Sequence, residues 1–159
     1  MPIIRPLTEA EFATWEAQSV PAYAADKVAS GAWAEATALE QSGQEHAALL
    51  PAGQHTPGHH FYAILGAAGA QVGMIWFAEQ DRGASRVAYI YDVEVWPEQQ
   101  RQGHAGRAFV AIEDEARRLG LAGVALHVFG HNRAAQALYE KLGYRTTNIT
   151  MYKPVGDAI

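Results

Sequence analysis

Between Glu98 and Arg107 the chain reads Glu-Gln-Gln-Arg-Gln-Gly-His-Ala-Gly-Arg. Small residues at Gly103, Ala105 and Gly106 let backbone approach a ligand closely. Residues Phe109, Ile112, Ala116 and Leu119 then recur at helical spacing, so the segment opens a helix whose first N–H groups are unpaired donors. Those donors and the helix dipole make an anion site, and Arg101 and Arg107 add charge. No Gly-Lys-[Ser/Thr] follows, so this is not a Walker loop, nor does it form a GxGxxG dinucleotide fingerprint. Just upstream, Asp92 and Glu94 alternate with Val93 and Val95. On a strand this puts two carboxylates on one face, where they attract an ammonium ion. His55, His59 and His60 fall in or beside a Pro- and Gly-containing loop without ligand-like spacing, so substrate contacts or plain loop roles suit them better than a metal site.

The elements that must position these groups follow from the hydrophobic period. Ile3–Leu7 reads as a first strand, and Thr8 with Glu11 has the spacing of a capping box that opens a helix near Glu9. Pro21 is expected to interrupt that helix, with a second running from about Ala22 to His46 and Gly31 and Gly43 as weak points. After a loop from Pro51 to His60, Phe61–Leu65 and Val72–Phe77 are strands joined by a hairpin connection. Ala78–Ser85 is read as a turn and Arg86–Trp96 as a longer strand ended by Pro97. Beyond the helix that Gly120 stops, Ala122–Phe129 reads as a strand, Ala135–Leu142 as a short amphipathic helix closed by Gly143, and Thr147–Lys153 as a final strand. The order is β-α-α-β-β-β-α-β-α-β, with one more strand allowed near Tyr144. It implies one mixed α/β domain over residues 1–159.

The 159 residues are 49% hydrophobic and 18% charged, an ordinary globular composition. No secretory h-region follows Met1 and no apolar run approaches a membrane span, so a cytoplasmic protein with no membrane role is the expectation. Cysteine is absent, which removes disulfides, thiolate metal sites and cysteine nucleophiles. A net charge of -5 argues against nucleic-acid binding. That charge is uneven: Glu9, Glu11, Glu16, Asp26, Glu35, Glu40 and Glu45 face the single cation Lys27, whereas Arg101, Arg107, Arg117 and Arg118 cluster in the middle. An acidic front and a locally basic middle suit a cationic substrate and a phosphate-bearing cofactor, although solvated helix faces would look the same.

Val93-Glu-Val95, Pro97, Gln100-x-x-Gly103-x-Ala105 and the helix after them resemble the central motif of the GNAT N-acetyltransferase superfamily. Asn132-Arg-Ala-Ala135-Gln-Ala-Leu138-Tyr-Glu-Lys-Leu-Gly-Tyr144 is similar to a second hallmark of that superfamily, with Tyr144 in place of the more usual Phe. The two stand in the right order, about thirty residues apart. The helical front ending in Leu49-Leu50-Pro51 and the run Thr56-Pro-Gly-His-His60 resemble one branch of its bacterial members.

The resemblance implies a central mixed sheet of six to seven strands with about four helices, the strands splayed where acetyl-CoA enters. It implies pyrophosphate contacts along Gln100, Arg101, Gln102, Gly103, His104, Ala105, Gly106 and Arg107, with Val93 and Val95 pairing to the pantetheine through main-chain groups and a backbone N–H there polarising the thioester carbonyl. Asn132 and Ala135 belong to the same cofactor set, and no metal is required. The implied reaction is direct attack of a neutral amine on the thioester. Tyr139 takes the position of the general acid beside the sulfur, with core packing as its other reading. The base is open among Glu94, Asp92 and His127, with Glu94 slightly favoured and a structural role the more usual one for a lone strand histidine such as His127. Trp15, Trp33, Trp76 and Trp96 read as core or rim. The acceptor is a small-molecule or peptide amine, and a homodimer is allowed. A non-catalytic acyl-CoA sensor of the same fold is the alternative; a nucleotide-binding regulator is weakened by the missing Walker lysine.

Overall fold

The computed structural model describes residues 2–156, which divide into two compact units between Leu126 and His127. In the first unit Ile4–Pro6 forms β1 and Glu9–Ala29 forms α1. The capping box is present: Thr8 Oγ1 accepts from the Glu11 N–H at 3.1 Å, and the Glu11 carboxylate accepts from the Thr8 N–H at 2.9 Å. Arg5 reaches the same carboxylate through two N–H donors at 2.7 and 2.8 Å, tying β1 to the helix start. Pro21 lies inside α1 and does not interrupt it. The break comes ten residues later, where Gly31 takes φ +79 and α2 begins only at Glu35, running to Leu49. The helices pack face to face, and the buried Ser42 hydroxyl donates to the Val20 carbonyl at 2.7 Å.

Strands His59–Leu65 (β2), Gln71–Arg82 (β3) and Ser85–Val95 (β4) form an antiparallel meander onto which β1 pairs. β3 continues five residues past the expected end at Phe77, and Arg82 pairs with Ser85 across a tight turn in which Gly83 has φ +61. The connection expected over Ala78–Ser85 is therefore mostly strand, because only Gly83 and Ala84 are needed to reverse the chain. β4 leads through a 3₁₀ turn at Pro97–Gln99 to α3, His104–Arg118, and the chain returns as β5, Val124–Ala125, parallel to β4. Gly120 at φ +75 closes α3, with Leu121 and Gly120 donating back to Ala116 and Arg117.

Adjacent residues of β2 define the two faces of this sheet. Phe61 packs on Phe12 and Trp15 of α1, whereas Tyr62 reaches Glu115 of α3. The α1 face buries Leu7, Phe12, Trp15, Leu50, Phe61, Met74 and Trp76 as one cluster. Phe77, Ile90, Phe109 and Ile112 are buried on the other side, and the predicted apolar stripe of α3 is what covers that face. β4 carries a bulge: Phe77 pairs with Ile90 and Trp76 with Asp92, which leaves Tyr91 as the extra residue.

In the second unit Arg133–Lys141 forms α4, closed by Gly143 at φ +94 with Tyr144 and Gly143 donating to Tyr139 and Glu140. The expected strands at Thr147–Lys153 and near Tyr144 do not form among the described residues. Of the expected strand Ala122–Phe129 only Val124 and Ala125 pair, opposite Ala88 and Tyr89, because the ladder stops where β4 bulges. The architecture is the expected mixed α/β class, with four α-helices and a mixed sheet of five described strands in place of six to seven.

Candidate active site

The segment between β4 and α3 adopts the shape the anion reading requires. Gly103 is the N-cap residue of α3 at φ +81, and no side chain caps the helix. The N–H groups of His104, Ala105 and Gly106 therefore precede the first intrahelical bond, which Arg107 makes to the Gly103 carbonyl at 3.1 Å. Arg101 is the one described non-glycine residue at positive φ, +64. Arg107 folds back over this turn, donating to the Gln102 carbonyl at 3.1 Å and meeting His104 Nδ1 at 2.9 Å. A Cβ at Gly103 would come within 2.9 Å of the Arg107 guanidinium, so a side chain there strains the left-handed backbone and displaces that guanidinium. Gln100 donates to the Val95 carbonyl at 3.0 Å and so ties the loop to the strand end. The His104 imidazole is buried near Gly66, its Nε2 without a partner among the described residues. What His104 offers a ligand at the loop is accordingly its backbone N–H.

β4 supplies the second component. Trp96 donates its N–H to the Val72 carbonyl, so by the alternation of an antiparallel ladder Glu94 and Asp92 also bond toward β3. The main-chain groups of Val93 and Val95 then point to the opposite edge. β5 leaves that edge after Tyr89, so within residues 2–126 Val93 and Val95 are matched by β3 on one side and by no strand on the other. The crowding on the β3 side is tight enough that a Cβ at Gly73 would run into the Glu94 carbonyl.

Asp92, Glu94 and Trp96 face α1. Asp92 is half-buried and accepts from Trp15 Nε1 at 3.1 Å. Burial pushes its carboxyl above the usual range, against the pull of the Trp15 and Val93 N–H groups. Glu94 is also raised, first by burial and then by the negative charge of Asp92. No cationic side chain of residues 2–126 pairs with either carboxylate. Beside Glu94 lies a cavity of about 240 Å³ between α1 and the sheet, walled by Trp15, Met74 and Trp96, with Gln18 and Gln71 at its edge. Glu11 also borders it, but Arg5 neutralises that carboxylate and holds its pKa at about 2.

Next to the bulge stands an aromatic group that joins Trp76, expected as core or rim, to His59, expected as a substrate contact or loop residue. Trp76 Nε1 donates to His59 Nδ1 at 3.0 Å, Tyr91 stacks on Trp76 at 4.7 Å, and Gln80 donates to the Tyr91 hydroxyl at 3.0 Å. Burial lowers the His59 pKa, as does the charge of His60, which favours a neutral ring. His60 lies on the other face, stacked on Phe77 at 4.7 Å and 2.8 Å from Glu79. Trp15 and Trp96 prove to be walls as well as packing residues, while Trp33 sits on Tyr23 with Lys27 5.6 Å from its ring centre. Trp15 repeats three residues after Phe12, which announces a core position, but nothing local announces its bond to Asp92, 77 residues away.

The second unit carries the remaining candidates. Asn132 is the N-cap of α4, its carboxamide oxygen accepting from Ala135 N–H at 3.2 Å, so its NH₂ is the group left to donate elsewhere. Tyr139 lies on α4 with its ring 5.7 Å from Tyr144 in edge contact. His127 stands edge-on to Phe129 at 5.0 Å. Among the described residues no group of three His, Asp or Glu side chains could hold a metal ion.

The same arrangement of elements is found in known proteins. The acetyltransferase (GNAT) family matches over residues 22–144. YdgE of Bacillus subtilis (strain 168), named as an uncharacterized N-acetyltransferase, is 35% identical over 147 residues, covering 92% of this chain and 94% of its own. YycN of the same strain, named likewise, is 32% identical over 95% of this chain and 97% of its own. The crystal structure of YycN superimposes with a TM-score of 0.84 at 31% identity, covering 97% of this chain and 98% of that one. On its motifs, its sheet and these relatives, the chain belongs to the acetyltransferase (GNAT) family, whose general reaction is acetyl transfer.

Proposed function

We propose that the protein transfers an acetyl group from acetyl-CoA to a primary amine by direct attack, residues 1–159 acting as one catalytic domain. The observation that carries this reading is the conjunction on β4, within residues 2–126, of an edge without a strand partner and two carboxylates without a cation, leading into the uncapped start of α3. The loop suits a pyrophosphate because the N–H groups of His104, Ala105 and Gly106 open α3 without a side-chain cap and the Arg107 guanidinium lies against the same turn. Acetyl-CoA supplies the thioester when it binds. Backbone groups of Val93 and Val95 hold the pantetheine, the loop from Gln100 to Arg107 holds the phosphates, and Asn132 and Ala135 belong to the same set. The amine nitrogen forms a bond to the acetyl carbon as the C–S bond breaks. Its proton passes to Asp92 or Glu94 through water, and the Tyr139 phenol protonates the departing thiolate. Asp92 is the better base of the pair, since Trp15 fixes its direction; His127 has no support of that kind within its own unit. A cysteine-free chain whose described helices are none of them long and apolar enough to cross a membrane suits a cytoplasmic enzyme.

The test is CoA release from acetyl-CoA, read with a thiol reagent, across small amines and short peptides. With no cysteine the protein adds no thiol background. Turnover that Tyr139→Phe abolishes while CoA binding persists is the expected result. CoA binding without turnover on any amine would turn the reading toward a sensor, and absence of CoA binding would end it.

A further inference from the structure

The cavity beside Glu94 has a composition that discriminates among amines. Its volume, about 240 Å³, lies below the range of roughly 300–1,000 Å³ usual for drug-sized ligands, so its occupant is small. Two indoles and the Met74 side chain give it apolar walls, and indole faces also attract cations. Of its two carboxylates, Glu11 is spent on Arg5 and on the cap of α1, which leaves Glu94 as the one charge without a partner. Glu94 is exposed, so partial burial and the neighbouring Asp92 penalise that charge only modestly, and an incoming cation relieves the repulsion. Gln71 donates one amide hydrogen to the Gly73 carbonyl, which orients its carboxamide at the edge of the cavity.

Asp92 lies one pleat repeat from Glu94 on the same face, roughly 7 Å along the strand. Two nitrogens separated by four methylenes span roughly 6 Å with standard bond lengths. We infer that the acceptor is a compact aliphatic amine carrying a second positive charge, its reacting nitrogen beside Asp92 and its second cation in the Glu94 cavity. A monoamine leaves Glu94 uncompensated. An amine with a carboxylate at the far end is repelled. The inference rests on the acetyl-transfer reading only in calling the bound cation an acceptor; the cavity's preference for a doubly charged amine stands by itself.

Equilibrium binding separates the two. Titration calorimetry of the intact protein with 1,4-diaminobutane, butylamine and 4-aminobutanoate, at low and at physiological salt, is run on the wild type, on Glu94→Gln and on Glu45→Gln, a surface control on α2. The diamine is expected to bind at least about tenfold more tightly than the monoamine, an advantage that Glu94→Gln reduces to about twofold and Glu45→Gln leaves alone. Trp96→Leu should weaken both amines, with circular dichroism melts confirming that each variant is folded. Equal binding of mono- and diamine, or a preference that survives Glu94→Gln, would overturn the inference. Acetylation of amines without such a preference would sink it while leaving the acetyl-transfer reading intact. A Glu94-dependent preference without acetylation would do the reverse.

Discussion

The indole N–H of Trp15 on α1 donates to the carboxylate of Asp92 on β4 at 3.1 Å, joining the helical front to the strand that carries the proposed chemistry. Trp15→Phe keeps a ring in the aromatic cluster and removes this donor. Because that bond lowers the Asp92 pKa while burial raises it, its loss should move Asp92 further up. The acidic limb of the kcat/KM profile should shift to higher pH, and a pH–rate series on the two proteins measures it.

Asp92→Asn should separate stability from turnover. A carboxyl raised in the fold contributes stability that is fully present below its unfolded pKa and is lost as pH rises through the folded value. The amide cannot ionise and can still accept from Trp15. The variant should therefore melt with or below the wild type in acid and gain on it as pH rises toward neutrality. Turnover should fall by roughly 10²–10⁴-fold, the usual contribution of a general base. Melting curves from pH 3 to 8, set beside rate measurements, check both halves.

Glu11 behaves oppositely. Arg5 and the Thr8 backbone hold its carboxyl down at about 2, so its contribution is present above the ordinary carboxylate value of 4.5 and is lost as pH falls through about 2. Glu11→Gln should flatten the acid-unfolding curve in that window. Thr8→Ala, which removes the other half of the box, should cost about 1 kcal/mol at neutral pH in a denaturant titration.

Gly103→Ala combines a left-handed backbone with contact against Arg107. The turn must distort or the guanidinium must move, at a cost of about 1 kcal/mol in stability. The expected signature is a higher KM for acetyl-CoA with little change in the KM for the amine, read from a two-substrate kinetic matrix.

Several parts of this arrangement are visible in local chemistry. The Thr8–Glu11 box, the Gly103 turn, the apolar stripe of α3 and the Gly120 and Gly143 stops each depend on residues within one or two turns of each other, so spacing alone finds them. The carboxylates Asp92 and Glu94 were likewise readable from strand alternation. Pro21 misleads because local propensity places a break where packing against α2 holds α1 together. Thr147–Lys153 has the alternation of a strand, but alternation cannot say whether a partner edge exists within reach. Trp15–Asp92 and Trp76–His59 are contacts between elements, and Trp15 looks the same in sequence whether or not its N–H has work to do.

The extra residue in β4 changes which half of the strand does the talking. Ahead of Tyr91 the odd-numbered positions turn toward α1; beyond it the even-numbered ones do, which is how Tyr89, Tyr91, Asp92 and Glu94 share one face while Val93 and Val95 occupy the other. Deleting one residue there would swap valines for carboxylates across the whole end of the strand. Insertions and deletions at this point should therefore be far rarer in functional descendants of the chain than substitutions on either side of it.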